Sequence, residues 1–270
     1  MRHTLVSTGD QPMGEEESPA ASALFHRLPM RLANALVNFL YPPVCAGCGR
    51  FAARDGAVCP ICWQTIRFIE RPYCEVMGTP FTHDLGPGIL SAEAIAHPPV
   101  FDRLRAVAAH DGLCQKLVHR LKYNDRLDLA PLMARWMARA AGDLLLDADV
   151  IVPVPLHRTR LFMRRFNQSA ELGRHLALQS AKTFNPVDLK RVKRTAHQVG
   201  LGERAREDNV RGAFAVNDAG RMAFAGRRVL LVDDVYTTGA TVSAASRALR
   251  KAGARDITVV VFSMALPEPI

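Results

Sequence analysis

Arg227–Thr241 constrains the fold more than any other stretch, reading Arg-Arg-Val-Leu-Leu-Val-Asp-Asp-Val-Tyr-Thr-Thr-Gly-Ala-Thr. Val229–Val232 is apolar at every position. A half-solvated strand would alternate, so this run suits the middle of a parallel sheet covered on both faces. Asp233 and Asp234 follow at once. Then come a turn of small hydroxylated residues with one glycine and the helical run Val242–Lys251.

Each part of that order has a chemical use. A turn that leads into a helix offers unpaired backbone N–H groups and the positive end of the helix dipole, which favour an anion. Thr237, Thr238 and Thr241 add hydroxyl donors, and Gly239 lets backbone approach a phosphate closely. Two adjacent carboxylates can accept hydrogen bonds from neighbouring sugar hydroxyls. The stretch therefore reads as a cradle for a ribose 5-phosphate. Paired Asp residues at a strand end also occur in phospho-acceptor domains and Walker-B strands. A Walker-B role needs a G-x-x-x-x-G-K-[ST] loop, which this chain lacks.

The rest of the chain supplies strands and helices in alternation. Leu104–His110, Val150–Val154, Val187–Val192, Arg211–Val216 and Ile257–Phe262 read as strands. Leu113–Tyr123, Ala130–Ala141 and Gln168–Gln179 read as helices, and Gly220–Ala225 as a turn. Pro153-Val154-Pro155-Leu156-His157-Arg158 stiffens a strand end, and Arg158, Arg160, Arg164 and Arg165 follow as a basic loop. It is either an anion site where α/β sheets bind anions or a solvated basic surface, with equal support. Lys193–Arg211 is a long polar connection of the kind that serves as a lid. Gly200–Ala205 spells G-x-G-x-x-A, but no apolar strand leads into it, which rejects a dinucleotide site. With a net charge of +9, the 270-residue chain suits polyanionic ligands, either nucleic acid or a phosphate-rich small molecule.

Residues 1–22 read as a disordered tail, and no basic start with an apolar core marks a secretory signal. Leu24–Leu40 has apolar residues at helical spacing, and Pro29 interrupts it, so the helix proper starts there. It reads as an amphipathic helix packed on the next module, with a membrane-surface helix the lesser alternative, and it is too short and polar to span a membrane. The setting expected is a reducing cytoplasm. There Cys45, Cys48, Cys59 and Cys62, spaced C-x2-C-x10-C-x2-C, are a zinc signal. Four thiolates with no open position imply a structural site, and metal would supply folding energy to a segment too small for its own core. Redox disulfides or buried thiols are the alternative, and Cys74 is a substitute ligand left open. Cys114 sits in a helical context and reads as a small buried apolar residue. The expected organisation is a tail (1–22), an N-terminal helix with the zinc-binding module (23–80), and an α/β domain (101–270).

Val232–Thr241 closely resembles the phosphoribosyl pyrophosphate (PRPP) motif of type I phosphoribosyltransferases. Several further phrases resemble the ComF family of zinc-knuckle, phosphoribosyltransferase-like proteins. They are the cysteine pairs, Leu121-Lys122-Tyr123, Val152-Pro153-Val154-Pro155-Leu156, Arg165-Phe166-Asn167-Gln168 and the run Arg194, Thr195, Gln198, Arg204, Asn209. The resemblance covers about Tyr41 to the C-terminus. It implies a type I phosphoribosyltransferase-like parallel sheet with a small N-terminal zinc module. It also implies that Asp233 and Asp234 hold the ribose diol, while Val235, Tyr236, Thr237, Thr238, Gly239, Ala240 and Thr241 wrap the 5-phosphate. Leu156, His157 and Arg158 would form the pyrophosphate loop, Arg204 would act from the lid, and Mg2+ would arrive with PRPP. Three positions depart from the pattern. Arg165 stands where the family has glycine, Met77 leaves Cys74 without its pair, and Thr237 replaces the acid of 6-oxopurine salvage members.

Two functions of different classes follow. One is transfer of the 5-phosphoribosyl group from PRPP to a nitrogen acceptor. The other is a non-catalytic accessory role in DNA uptake, with single-stranded DNA or DNA-uptake proteins as partners. An aromatic-interleaved basic patch is not evident in the sequence, which gives the second reading less support. A homodimer is left open.

Overall fold

Strand β6 (Arg228–Tyr236) lies at the centre of a five-stranded sheet in order β1-β7-β6-β2-β3. The structure is a computed structural model that describes residues 42–52, 56–124, 126–193 and 211–266. The chain divides into Met1–Pro43 and Val44–Ile270, and nearly all described residues belong to the second unit. The Leu24–Leu40 helix expected above lies outside the described residues, as does most of the Lys193–Arg211 connection, Arg204 included.

Strands β1 (Arg103–Ala109), β2 (Val150–Pro153), β3 (Thr183–Phe184) and β7 (Asp256–Met264) join β6 through parallel pairings only. The uninterrupted apolar runs have a physical cause in this arrangement. Leu230 and Val232 enter one core, with helices α3 (Gly112–Tyr123), α4 (Ala130–Ala141) and α7 (Gln168–Ser180). Val229 and Leu231 enter the other, with helix α9 (Ala240–Lys251). Successive strand residues point to opposite faces, so a strand covered on both must be apolar throughout.

Strands β4 (Leu189–Arg191) and β5 (Phe214–Val216) form a separate antiparallel pair rather than extending the main sheet. Helix α8 (Asp218–Phe224) follows β5 where the glycine suggested a turn. Asn217 caps it by accepting the Gly220 N–H at 2.7 Å, and Phe224 anchors it in the core. Gly220 is there for space, since a Cβ would lie 2.6 Å from Val216 and 2.7 Å from Asp188.

The cysteine-bearing segment covers the free edge of β1. Ile69 N–H donates to Val107 O and Ala109 N–H to Arg67 O, each at 2.9 Å, and Leu104 N–H reaches Val76 O at 2.7 Å. An open edge strand invites intermolecular pairing, and this cover removes it. Ala46 and Ile66 share one core with Val107 and Leu113, so the knuckle and the sheet domain pack as one body.

Candidate functional site

The carboxyl ends of β6, β2 and β1 face a cavity of about 410 Å3, the position where open α/β sheets place their ligands. Asp233 and Asp234 form part of its lining. Asp233 Oδ1 accepts Ser169 Oγ–H at 2.8 Å and the Asp234 N–H at 2.9 Å. Burial, with the Asp234 carboxylate second, pushes Asp233 up to about 7 despite those two donors. Asp234 forms a 2.9 Å ion pair with Lys122 Nζ, from the last turn of α3. His110 follows β1 beside them, and its Nδ1 lies 2.7 Å from Ser263 Oγ. Burial, then the Lys122 charge, lowers the His110 pKa, which favours the neutral ring.

Three arginines join Lys122 around the cavity. Arg160 and Arg164 come from α6 (Arg158–Arg164), a helix where the sequence suggested an irregular basic loop. His157 caps it by accepting the Thr159 N–H at Nδ1, 3.3 Å away. Arg164 donates to Tyr123 Oη at 3.1 Å and lies 5.0 Å over that ring. Arg191 projects from β4, with its guanidinium 5.3 Å over Phe214. Burial lowers it to about 10, so it stays charged at neutral pH. Lys122, Arg160, Arg164 and Arg191 thus outnumber the two carboxylates, and the cavity suits a polyanion.

The phrase Phe166-Asn167-Gln168-Ser169 acquires a mechanical meaning. Asn167 caps α7 by accepting the Ser169 N–H at 3.2 Å, and its Nδ2 donates to Val154 O at 3.0 Å. The helix start is thereby tied to the loop after β2, and Ser169 is aimed at Asp233. Gln168 is buried against the cavity, and its Nε2 finds no hydrogen-bond partner among the described residues. Arg165, in the family's glycine position, adopts a left-handed φ of 63°.

On the far side of the acids, Tyr236–Gly239 turns into α9. Gly239 has φ +74, and no side chain caps the helix. The positive φ favours glycine, and a Cβ there would lie 2.5 Å from Tyr236 Oη, so the tyrosine ring would have to move to admit one. Leu156, Val235, Thr237 and Thr241 also line the cavity. His157, Tyr236, Thr238, Gly239 and Ala240 shape its loops without lining it, while Arg158 is exposed on α6. Sequence reasoning missed Lys122, His110, Ser169 and Arg191 as site residues. Arg191 carried a signal: in Leu189-Lys190-Arg191, strand alternation puts it on the same inward face as Leu189.

The sulfurs of Cys45, Cys48, Cys59 and Cys62 lie within 4.8 Å of one another. The Cys48–Cys59 separation is 3.7 Å, close to the edge of about 3.8 Å that a tetrahedron with bonds of about 2.3 Å demands. The four cysteines fit structural zinc. Gly47 N–H and Cys59 N–H donate to the Cys45 sulfur at 3.3 and 3.2 Å, as zinc knuckles require of a thiolate. Cys74 stands apart from this cluster, and its sulfur accepts the Met77 and Ser91 N–H groups.

A second concavity, of about 650 Å3, lies between the cysteine segment and α4. Trp63 and Trp136 meet edge-on at 5.5 Å, Phe68 packs within 5.8 Å of both, and Arg71 and Arg139 stand beside them. The fold thus brings together aromatic rings that are dispersed along the chain, while the two arginines beside them are paired with acids, Arg139 with Glu70 at 3.1 Å and Arg71 with Glu75.

Two family models match the chain: a double zinc ribbon domain over residues 36–94 and a phosphoribosyl transferase domain over residues 183–265. The DNA utilization protein YhgH of Salmonella typhimurium is 32% identical over 209 residues, covering 75% of this chain and 88% of that one. Competence protein F of Haemophilus influenzae is 29% identical over 225 residues, covering 80% and 94%. Competence protein ComFC of Bacillus subtilis is 24% identical over 223 residues, covering 80% and 82%.

Proposed function

The chain belongs to the ComF family, and from that premise we propose that its cavity binds PRPP and supports phosphoribosyl transfer to a nitrogen acceptor. One observation carries this reading. A single cavity brings together two acids at a strand end, the turn into α9, and four cationic side chains. Asp233 and Asp234 accept the ribose hydroxyls. The backbone N–H groups and threonines of the turn hold the 5-phosphate. Arg160, Arg164 and Arg191 face the pyrophosphate together with the Leu156–Arg158 loop, with Arg204 a further candidate outside the described residues.

In the reaction, the acceptor lone pair forms the N–C1 bond as the C1–O bond breaks, and pyrophosphate leaves with the bonding electrons. The arginines stabilise charge that grows on the leaving group. Mg2+, carried in on the phosphate oxygens, would neutralise part of that charge. The acids stabilise positive charge on the sugar. A reducing cytoplasm would keep the four thiolates of the cysteine cluster available to zinc. Among the described residues no helix is long and apolar enough to cross a membrane.

A second reading, an accessory role in DNA uptake, draws on the relatives' names and on the rings of Trp63, Phe68 and Trp136 in one groove. Aromatic rings are what the bases of single-stranded nucleic acid stack upon. A thermal-shift comparison separates the two. Stabilisation by PRPP with Mg2+ supports the first reading. Stabilisation only by single-stranded DNA, weakening steeply with salt, supports the second.

A further inference from the structure

Lys122 approaches the acid pair from a different element, and the contact is shielded from water. Its side chain is 22% exposed and that of Asp234 10%, with 2.9 Å between Nζ and Oδ2. The next residue, Tyr123, holds Arg164 of α6. The end of α3 thus touches both the acids and the basic helix. Any ligand that offers hydroxyls to Asp233 and Asp234 while carrying phosphates meets an electrostatic conflict, because two carboxylates repel a polyanion.

We propose that Lys122 is the charge-balancing residue of this cavity, neutralising the Asp233–Asp234 pair so that a sugar carrying several phosphates can enter beside it. The proposal rests on the PRPP reading and adds to it a positioning residue that acts through the acids. Charged groups reach the cluster from every side: Asp233 and Asp234 from β6, His110 after β1, Arg160 and Arg164 from α6, and Arg191 from β4. Lys122 reaches Asp234 in a direct 2.9 Å ion pair. The Arg191 guanidinium attracts Asp233 as well, and Lys122 supplies the direct contact with Asp234.

The test is calorimetric titration of PRPP with Mg2+ into wild type, Lys122→Met and Lys122→Arg at pH 6 and pH 8. Lys122→Met should bind about tenfold more weakly at pH 8, the equivalent of one shielded charge contact. The gap should narrow at pH 6, where Asp233 is protonated and repels less. Lys122→Arg should recover most of the loss. Equal affinity of wild type and Lys122→Met, or an equal loss at both pH values without rescue by arginine, would overturn the proposal. If wild type binds no PRPP, the reading beneath it falls and the proposal with it.

A ligand-free measurement runs alongside, on Lys122→Gln should Lys122→Met fail to fold. NMR titration of His110 should show its midpoint rising when Lys122 is removed, because that ammonium lowers it in the wild type. An unchanged midpoint would contradict the placement of the Lys122 charge in the cavity beside His110.

Discussion

Ser169 Oγ donates a 2.8 Å hydrogen bond to Asp233 Oδ1, joining the first turn of α7 to the functional end of β6. Hydrogen bonds to charged acceptors are typically worth about 1.5–3 kcal/mol and neutral ones about 0.5–1.5 kcal/mol. Ser169→Ala should therefore cost more stability at pH 8, where Asp233 is ionised, than at pH 5. Urea unfolding at the two pH values measures this, and equal losses would contradict the role given to the hydroxyl.

The Asp233 carboxyl is raised from an ordinary 3.8 to about 7 by burial and by Asp234. Between those values the folded protein keeps a proton that the unfolded chain has released. The contribution of this group to stability therefore falls as pH rises through that window. Asp233→Asn should flatten the fall and leave the variant more stable than wild type at pH 8, by about 1–3 kcal/mol. Denaturant curves across pH 4–8 check the sign. A variant less stable than wild type at pH 8 would contradict it.

Arg165 is exposed and holds φ at 63°, a conformation that costs an L-residue about 1–2 kcal/mol. Arg165→Gly should stabilise the domain by about 1 kcal/mol after the larger unfolded-state entropy of glycine is offset. Chemical denaturation gives the value directly, and destabilisation would mean that the arginine makes a compensating contact.

The α/β plan was legible because β6 and β7 are buried on both faces and must be apolar throughout. The acids were legible because they interrupt that run at its end. Lys122, Ser169 and His110 were not, since each lies on another element and only the folded chain brings it to Asp233 and Asp234. Arg191 carried only the alternation of the three-residue strand Leu189–Arg191, a signal that places it inward but does not say which cavity it faces. Helix α8 was misread because Gly220 suggested a turn, whereas the Asn217 cap and the Phe224 anchor decide the conformation. The cysteine spacing was readable at sight, but its packing into the sheet's own core was not.

That shared core bears on the metal. Ala46 and Ile66 pack with Leu113, and Arg120 donates to Ala46 O. Removing zinc should therefore lower the melting temperature of the sheet domain, rather than release a separate knuckle from an intact domain. Metal analysis should give about one zinc per chain, lost in Cys45→Ser/Cys48→Ser. Full zinc content in that variant would contradict the ligand assignment. Calorimetry of the chelated protein should show one lowered transition, and an unchanged main transition would contradict the coupling.

The account turns on whether the Asp233–Asp234 cavity binds PRPP, and calorimetric titration in the presence of Mg2+ asks this most directly. Wild type should give saturable heat. Asp234→Asn retains an acceptor oxygen but loses the charge, and it should bind about tenfold to a hundredfold more weakly while staying folded. No binding by wild type up to millimolar PRPP, or equal binding by Asp234→Asn, would contradict the account.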